Sequence, residues 1–108
     1  MAAKVNIVLD QGTTFNTSFS FSNDDDEPID FTSYTANSQI RKSYTSSTAY
    51  NFTVGLGNNG IITLSMNAAT SSTITAGRYL YDLEVQDVNG VRSRLVEGIV
   101  SVTPEITR

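Results

Sequence analysis

The stretch that most limits the possible folds of this chain lies between residues 76 and 102, where two alternating segments flank an Asn89-Gly90 pair. Asn-Gly is a preferred sequence for a two-residue type I′ turn, because both central residues of that turn need a positive φ. Such a turn places Val88 opposite Val91 and so fixes the pairing of all later residues. The sequence therefore predicts a long β-hairpin whose register follows by counting outward from the turn.

Counting outward separates the two faces of this hairpin, because side chains alternate along a strand. The expected core face pairs Leu83 with Val96, Tyr81 with Gly98, Tyr79 with Val100 and Gly77 with Val102. The opposite face carries charged and polar side chains, namely Arg78, Asp82, Glu84, Gln86, Arg92 and Glu97. Leu80, Leu95 and Ile99 are apolar exceptions on that face, and we expect them to form a second contact surface.

Shorter segments elsewhere show the same two-residue alternation, which is typical of half-buried strands. They cover residues 4–10, 13–22, 34–41, 52–56 and 62–66. Within the second of them, Phe19 and Phe21 are expected to supply much of the core. The turn-forming residues 57–60 join the last two into a second hairpin. About seven short strands without a helical period predict an all-β fold, an immunoglobulin-like antiparallel sandwich of two sheets, with a small closed barrel as the alternative.

Three segments interrupt the alternation and are predicted to connect strands. They cover residues 23–33, 43–50 and 67–74. The first is an acidic loop anchored by Ile29 and Phe31. The second is polar and is predicted to be a long loop or an irregular edge. The third is a crossover in which Asn67 caps one or two helical turns.

The length of 108 residues fits one domain, because a chain of this size buries roughly two-thirds of its unfolded surface and forms a core without disulfides or structural metals. Pro104 has no N–H to donate to a neighbouring strand and should end the last one. We therefore predict a single sandwich domain over residues 1–103 and a short tail over residues 104–108 that points away from it.

Composition excludes most classes of enzyme, because the chain contains no histidine and no cysteine. Catalytic triads, Cys-His dyads and thiolate or imidazole zinc sites need those residues. The net charge of −4 opposes binding to nucleic acid and to anionic membranes. The start Met-Ala-Ala-Lys lacks the apolar run of a signal peptide, and no stretch approaches the roughly 20 apolar residues of a membrane span. We expect a non-enzymatic protein made in a cytoplasm, with no cofactor and neither nucleic acid nor membrane as partner.

Two groups of acidic residues are candidate sites. Residues 24–27 with Asp30 offer oxygen ligands for Ca²⁺, but they lack the alternate spacing and the glycine of an EF-hand loop, so a solvated loop is the better interpretation. Asp82 lies opposite Glu97 and beside Glu84, an arrangement that also suits the carboxylate pair of a glycosidase. Exposed sheet decoration with neighbouring arginines explains these carboxylates better. No catalytic, cofactor-binding or metal residue is assigned.

The five tyrosines raise the possibility of a platform on which sugars stack. Tyr79 and Tyr81 lie on the predicted core face and are better explained as core or corner residues. Tyr44 and Tyr50 lie in the polar segment, so they are the tyrosines predicted to belong to a contact surface.

Six segments, taken in their order along the chain, carry a family resemblance. They are DQGTTF at 10–15, PIDFTSYTA at 28–36, QIR at 39–41, GIITLS at 60–65, AGRYLYDLE at 76–84 and EGIVSV at 97–102. This order resembles small virion modules of tailed bacteriophages, in particular the N-terminal domain of siphophage upper baseplate proteins. The resemblance implies an immunoglobulin-like module that attaches to a virion. In that family a longer receptor-binding or fibre portion usually follows, whereas this chain stops at Arg108, so we expect a free-standing decoration, cement or adaptor subunit.

The expected function is therefore that of a bacteriophage virion protein which docks, as a homo-oligomer or in several copies, on other proteins of the capsid or of the tail and baseplate. A carbohydrate-binding or host-adhesion sandwich is the alternative. The residues predicted to form the interface are Tyr44, Tyr50, Leu80, Leu95, Ile99, Pro104 and Ile106. Strand edges provide further contacts for a docking partner, because their backbone N–H and C=O groups are unpaired.

Overall fold

The computed structural model of the protein describes residues 3–22, 25–43 and 49–105. In chain order its elements are β1 (Ala3–Lys4), β2 (Ile7–Asp10), β3 (Phe15–Ser20), β4 (Thr35–Arg41), β5 (Ala49–Asn51), β6 (Thr53–Leu56), β7 (Ile61–Met66), α1 (Ala68–Ser71), β8 (Gly77–Gln86) and β9 (Arg92–Thr103). The described strands outnumber the seven predicted because the first one is interrupted and because the short edge strand β5 begins within the segment predicted to be a long loop or an irregular edge. No helix of the described part is long and apolar enough to cross a membrane.

The strands form two sheets. The larger has the order β1-β9-β8-β4-β5, with β2 also paired to β9, and the smaller has the order β3-β7-β6. Neighbours are antiparallel except for β1 and β2, which run parallel to β9 and so depart from the all-antiparallel prediction. Two facing sheets with these connections form an immunoglobulin-like sandwich, which confirms the predicted fold class.

The smaller sheet is one strand short of an immunoglobulin constant domain, whose sheets contain strands ABED and CFG. β3, β7 and β6 take the places of strands B, E and D, while β4, β8 and β9 take those of C, F and G. The N-terminal strands, which would supply strand A beside β3, pair with β9 instead. As a result, no described strand pairs with the outer side of β3.

The core lies between the sheets and is drawn from alternate positions of β2, β4, β7, β8 and β9, together with residues of the connecting segments. Its fully buried apolar side chains are Leu9, Phe31, Ile40, Ile62, Leu64, Ile74, Leu83, Val96 and Val100. The expected anchor Phe31 is only 1% exposed. Phe19 and Phe21 pack against this core but remain partly exposed. The prediction that these two residues supply much of the core is therefore confirmed only in part, because they flank the core without being fully buried in it.

The β8–β9 hairpin has the predicted register over most of its length. Its pairs include Gly77 with Val102, Tyr79 with Val100, Leu80 with Ile99, Tyr81 with Gly98, Asp82 with Glu97 and Leu83 with Val96. Nearer the turn the pairing shifts by one residue, so that Glu84 faces Arg94. Leu95 is the extra residue of the resulting β-bulge, and it packs against the core rather than lying on the outer face.

The predicted type I′ turn is wrong. The backbone N–H of Asp87 donates to the carbonyl of Val91 at 3.0 Å, which leaves three residues in the loop. Only the last of them, Gly90, has a positive φ, of 82°. The Asp87 carboxylate accepts from the N–H groups of Asn89 and Val91 at 2.9 Å and holds Asn89 in an ordinary conformation. This is the three-residue loop in which a glycine follows a type I turn.

Other local predictions are confirmed. β6 and β7 form the second hairpin around residues 57–60, and the side chain of Asn67 caps α1 by accepting from the Thr70 N–H at 2.8 Å. β9 ends at Thr103, directly before Pro104. The tail, however, does not turn away at once, because the Glu105 N–H donates to Gln11 Oε1 at 3.1 Å.

The break between β1 and β2 is built around a glycine of the neighbouring strand. The carbonyl oxygen of Val5 lies directly over Gly98, where a Cβ atom would collide with it. The same oxygen accepts the hydroxyl of Tyr81 at 2.6 Å. In place of a backbone carbonyl, Asn6 Oδ1 accepts a hydrogen bond from the Ile99 N–H at 3.1 Å. The N-terminal edge of the larger sheet is therefore interrupted, and side chains satisfy its backbone groups.

Candidate interaction surface

The outer face of the larger sheet carries a small apolar centre within a charged frame. Leu80 and Ile99 are paired across β8 and β9 and are both partly exposed. Beside them lies a hollow of about 280 Å³. Its lining includes Gln39, Arg41, Leu80, Asp82, Glu84, Arg94 and Glu97. β4, β8 and β9 hold these side chains at fixed positions, because alternate residues of neighbouring strands share one face.

Arg94 joins the carboxylates of this hollow. Its Nε lies 3.4 Å from Asp82 Oδ2, and its Nη1 lies 3.2 Å from Glu97 Oε2. The bulge at Leu95 brings this about, because it moves Arg94 opposite Glu84. A glycosidase needs the space between its two carboxylates for sugar and water. Here Arg94 bridges the carboxylates of Asp82 and Glu97.

Charges in the hollow influence one another. Burial raises the pKa of the Asp82 carboxyl, the charge of Glu84 raises it further, and Arg94 opposes both effects. The hydrogen bond with Glu97 raises the pKa of the Arg94 guanidinium. Arg41 contributes a second positive charge near Asp82, and its Nη2 donates to Gln39 Oε1 at 3.0 Å. The surface is therefore nearly charge-balanced around its apolar centre.

The acidic loop shows no built cation site in the described residues. Asp25, Asp26 and Glu27 are exposed, and Asp24 lies outside the described residues. Asp30 accepts from the N–H of Thr32 at 3.0 Å and from its hydroxyl at 2.7 Å, which lowers the pKa of Asp30. Across the described chain, no group of three or more acidic side chains is arranged to hold a metal ion.

Two of the tyrosines serve the fold, as predicted. The Tyr79 hydroxyl donates to the carbonyl of Thr75, four residues upstream, at 2.6 Å, which is the tyrosine corner of immunoglobulin-like domains. Tyr81 is 4% exposed, and burial raises its pKa to about 12. Tyr50 lies on β5 rather than in a loop, and its ring meets that of Tyr79 at 6.4 Å against the core. Tyr44 lies outside the described residues.

The remaining predicted interface residues are dispersed. Pro104 is exposed at the end of β9, and Ile106 lies outside the described residues. Leu80 and Ile99 are thus the two predicted interface residues that the structure brings together on the outer face. Among the residues that the structure describes, the most exposed large apolar ones were not predicted to belong to the interface, namely Val8 at 63%, Val88 at 73% and Val91 at 59%. Alternation along the first strand already marks Val8 as outward-facing, because it lies between the buried Ile7 and Leu9.

No protein-family model and no curated protein matches the chain. Among the solved structures that are similar in outline are the following two. One is a family 123 glycoside hydrolase from Clostridium perfringens, with 12% identity and a TM-score of 0.44 over 97% of this chain. This chain spans only 24% of that hydrolase. The other is the extracellular domain of the voltage-gated sodium channel beta4 subunit, with 14% identity and a TM-score of 0.43 over 98% of this chain and 96% of that one.

Proposed function

We propose that this protein is a non-enzymatic structural module of a bacteriophage virion, which docks the outer face of its larger sheet on another virion protein. The observation that supports docking is the surface around Leu80 and Ile99. An apolar centre within a polar and charged rim is the usual anatomy of a protein interface. The proposed place in a virion comes from the ordered resemblance of the six segments to baseplate modules.

The surface suits docking for a further reason, which is its rigidity. Leu80, Asp82 and Glu84 lie on β8, a central strand of the larger sheet, which pairs with β4 on one side and β9 on the other. Groups held by a sheet lose little conformational freedom when a partner binds, and this reduces the entropic cost of association. The rim charges would then select the partner and its orientation.

Purified particles provide the test. The protein should be a component of the particle, and its copy number should distinguish hundreds of copies, as for capsid decoration, from a few to dozens, as for a tail or baseplate adaptor. Its absence from particles would refute the proposal.

A pair of variants tests the surface itself. Leu80→Glu places a charge in the apolar centre and should abolish incorporation into particles. Val88→Glu is the matched control, because Val88 is an exposed apolar residue in the β8–β9 turn, away from that centre. Melting curves of both purified variants establish that they are folded. Equal incorporation of the two would refute docking through this face.

A further inference from the structure

β3 has an open backbone edge. On one side it pairs with β7 over its whole length, and on the other no described residue pairs with it. The Phe21 N–H donates to the carbonyl of Gly60 at 2.8 Å, and this bond shows which residues of β3 form hydrogen bonds with β7. Hydrogen-bonded pairs alternate in antiparallel sheets, so the odd-numbered residues of β3 bond to β7. Asn16, Ser18 and Ser20 therefore direct their N–H and C=O groups outward.

This edge lacks the usual protection against pairing. Natural edge strands are short, charged, bulged or interrupted by proline. Residues 11–22 contain no charged residue and no proline, and β3 pairs with β7 without a bulge. The other described edges differ, because β5 has three residues, β6 has four, and the N-terminal edge is broken between β1 and β2.

The core beneath β3 is incompletely covered. Phe15, Phe19 and Phe21 face inward but are all partly exposed, whereas Ile62 and Leu64 on the adjacent β7 are 0% exposed. One more strand beside β3 would cover the aromatic rings from the side. Its own inward side chains would have to be apolar to do so.

We propose that this strand is the β3 of a second copy, paired antiparallel about a two-fold axis at Ser18. In this register Ser18 faces the partner subunit's Ser18, and Asn16 faces the partner subunit's Ser20. These three pairs form six backbone hydrogen bonds. On the inner side Phe15 faces the partner subunit's Phe21, and Thr17 faces the partner subunit's Phe19. The two three-stranded sheets become one continuous sheet of six.

The charges of the chain fit this arrangement. The contact surface is uncharged, and the acidic residues 25–27 lie beyond one end of β3, so the two acidic loops of the dimer lie at opposite ends. The contact is isologous and closes on itself, which prevents the edge from recruiting further copies. Each copy carries a net charge of −4, so screening by salt should strengthen the dimer.

Sedimentation of the full chain over a range of concentrations tests the proposal. A dimer is expected, and it should tighten as salt is raised. Ser18→Lys places two like charges in opposition and should raise the dimer dissociation constant about tenfold or more. Thr53→Lys is the matched control at the opposite edge of the same sheet and should leave the dimer intact.

Cysteine cross-linking tests the register, because the chain has no cysteine of its own. The Cα atoms of facing residues in a hydrogen-bonded pair lie about 5.5 Å apart, within the Cα–Cα range that a disulfide can bridge. Ser18→Cys should therefore form a covalent dimer on mild oxidation. Asn16→Cys should not, because two copies of residue 16 are four residues out of register, about 13 Å along the strands.

Several results would overturn the proposal. A wild-type chain that stays monomeric up to millimolar concentration would do so, as would cross-linking of Asn16→Cys at the rate of Ser18→Cys. Loss of the dimer in Thr53→Lys or Leu80→Glu, but not in Ser18→Lys, would assign the contact to another surface. These outcomes are independent of the proposed virion function, because incorporation into particles is measured separately.

Discussion

The two sheets of this protein each have an edge strand with alternating apolar residues, and the two edges are built differently. On β2, Ile7 and Leu9 are 7% and 0% exposed. On β3, Phe15 and Phe19 stay partly exposed although they are larger. Alternation therefore identifies the face that a strand buries, but it does not say how deeply that face is covered.

The difference arises from what surrounds each strand. Side chains fasten β2 at its far end, where the Thr103 hydroxyl donates to Asp10 Oδ1 at 2.6 Å and Gln11 Nε2 donates to the Ile74 carbonyl at 2.8 Å. At its near end the inward turn of Val5 interrupts the edge. β3 has a continuous backbone edge instead. The comparison indicates that β2 is completed within the chain and that β3 is open to a partner.

Leu9→Ala and Phe19→Ala compare the two edges most directly. Leu9→Ala should cost about 2–5 kcal/mol of unfolding free energy, because it leaves a cavity at a fully buried position. Phe19→Ala should cost less in the monomer, although it removes a larger side chain, because part of the ring is already in contact with water. Denaturant unfolding at low protein concentration measures both values. A larger loss for Phe19→Ala would mean that β3 is covered as completely as β2.

Much of the hairpin was predictable from the sequence, although the predicted turn is wrong. The true loop takes one more residue, Val88, from the β8 side, and the bulge at Leu95 adds one residue on the β9 side, so the two shifts cancel beyond Leu83. The Asp87 side chain selects the longer loop. A bulge has no comparable local signal, because it depends on how β9 packs against the core.

The candidate surfaces were predictable only in part. The pairing of Leu80 with Ile99 and of Asp82 with Glu97 follows from counting along the hairpin. The open edge of β3 does not, because it depends on which strand the N-terminal segment joins. That choice is made by Gly98, whose missing Cβ admits the Val5 carbonyl, and this contact joins residues far apart in the sequence.

Gly98→Ala should show the next largest effect, because it removes the space over Gly98 in which the Val5 carbonyl lies. The added methyl group collides with the Val5 carbonyl, and overpacking of this kind typically costs about 1–3 kcal/mol. Thermal melting measures the loss, and hydrogen exchange should show that the amides of β1 and β2 lose protection first. Unchanged protection there would mean that the glycine is not needed to seat the N-terminal strand.

Tyr81→Phe removes the hydrogen bond to the same carbonyl and should cost about 1–2 kcal/mol. Burial raises the pKa of Tyr81 to about 12, above the value of about 10 in an unfolded chain. Its contribution is therefore complete below pH 10 and is lost as the pH rises towards 12, because the unfolded chain releases the proton first. Wild-type stability should fall in this range, and the fall should be smaller in Tyr81→Phe. Identical alkaline profiles would exclude Tyr81 as the titrating group.

The smallest effect is expected for lysine at outward positions of the two edges. Ser18 on β3 and Val8 on β2 are both exposed, so Ser18→Lys and Val8→Lys should each change the unfolding free energy of the dilute monomer by less than about 0.5 kcal/mol. Association should separate them, because only Ser18 lies on the proposed contact. Such a result would mean that the two edges differ in their association with a second copy rather than in their contribution to the stability of the monomer. A loss above about 1 kcal/mol for Ser18→Lys alone would instead show that the β3 edge already supports the monomer.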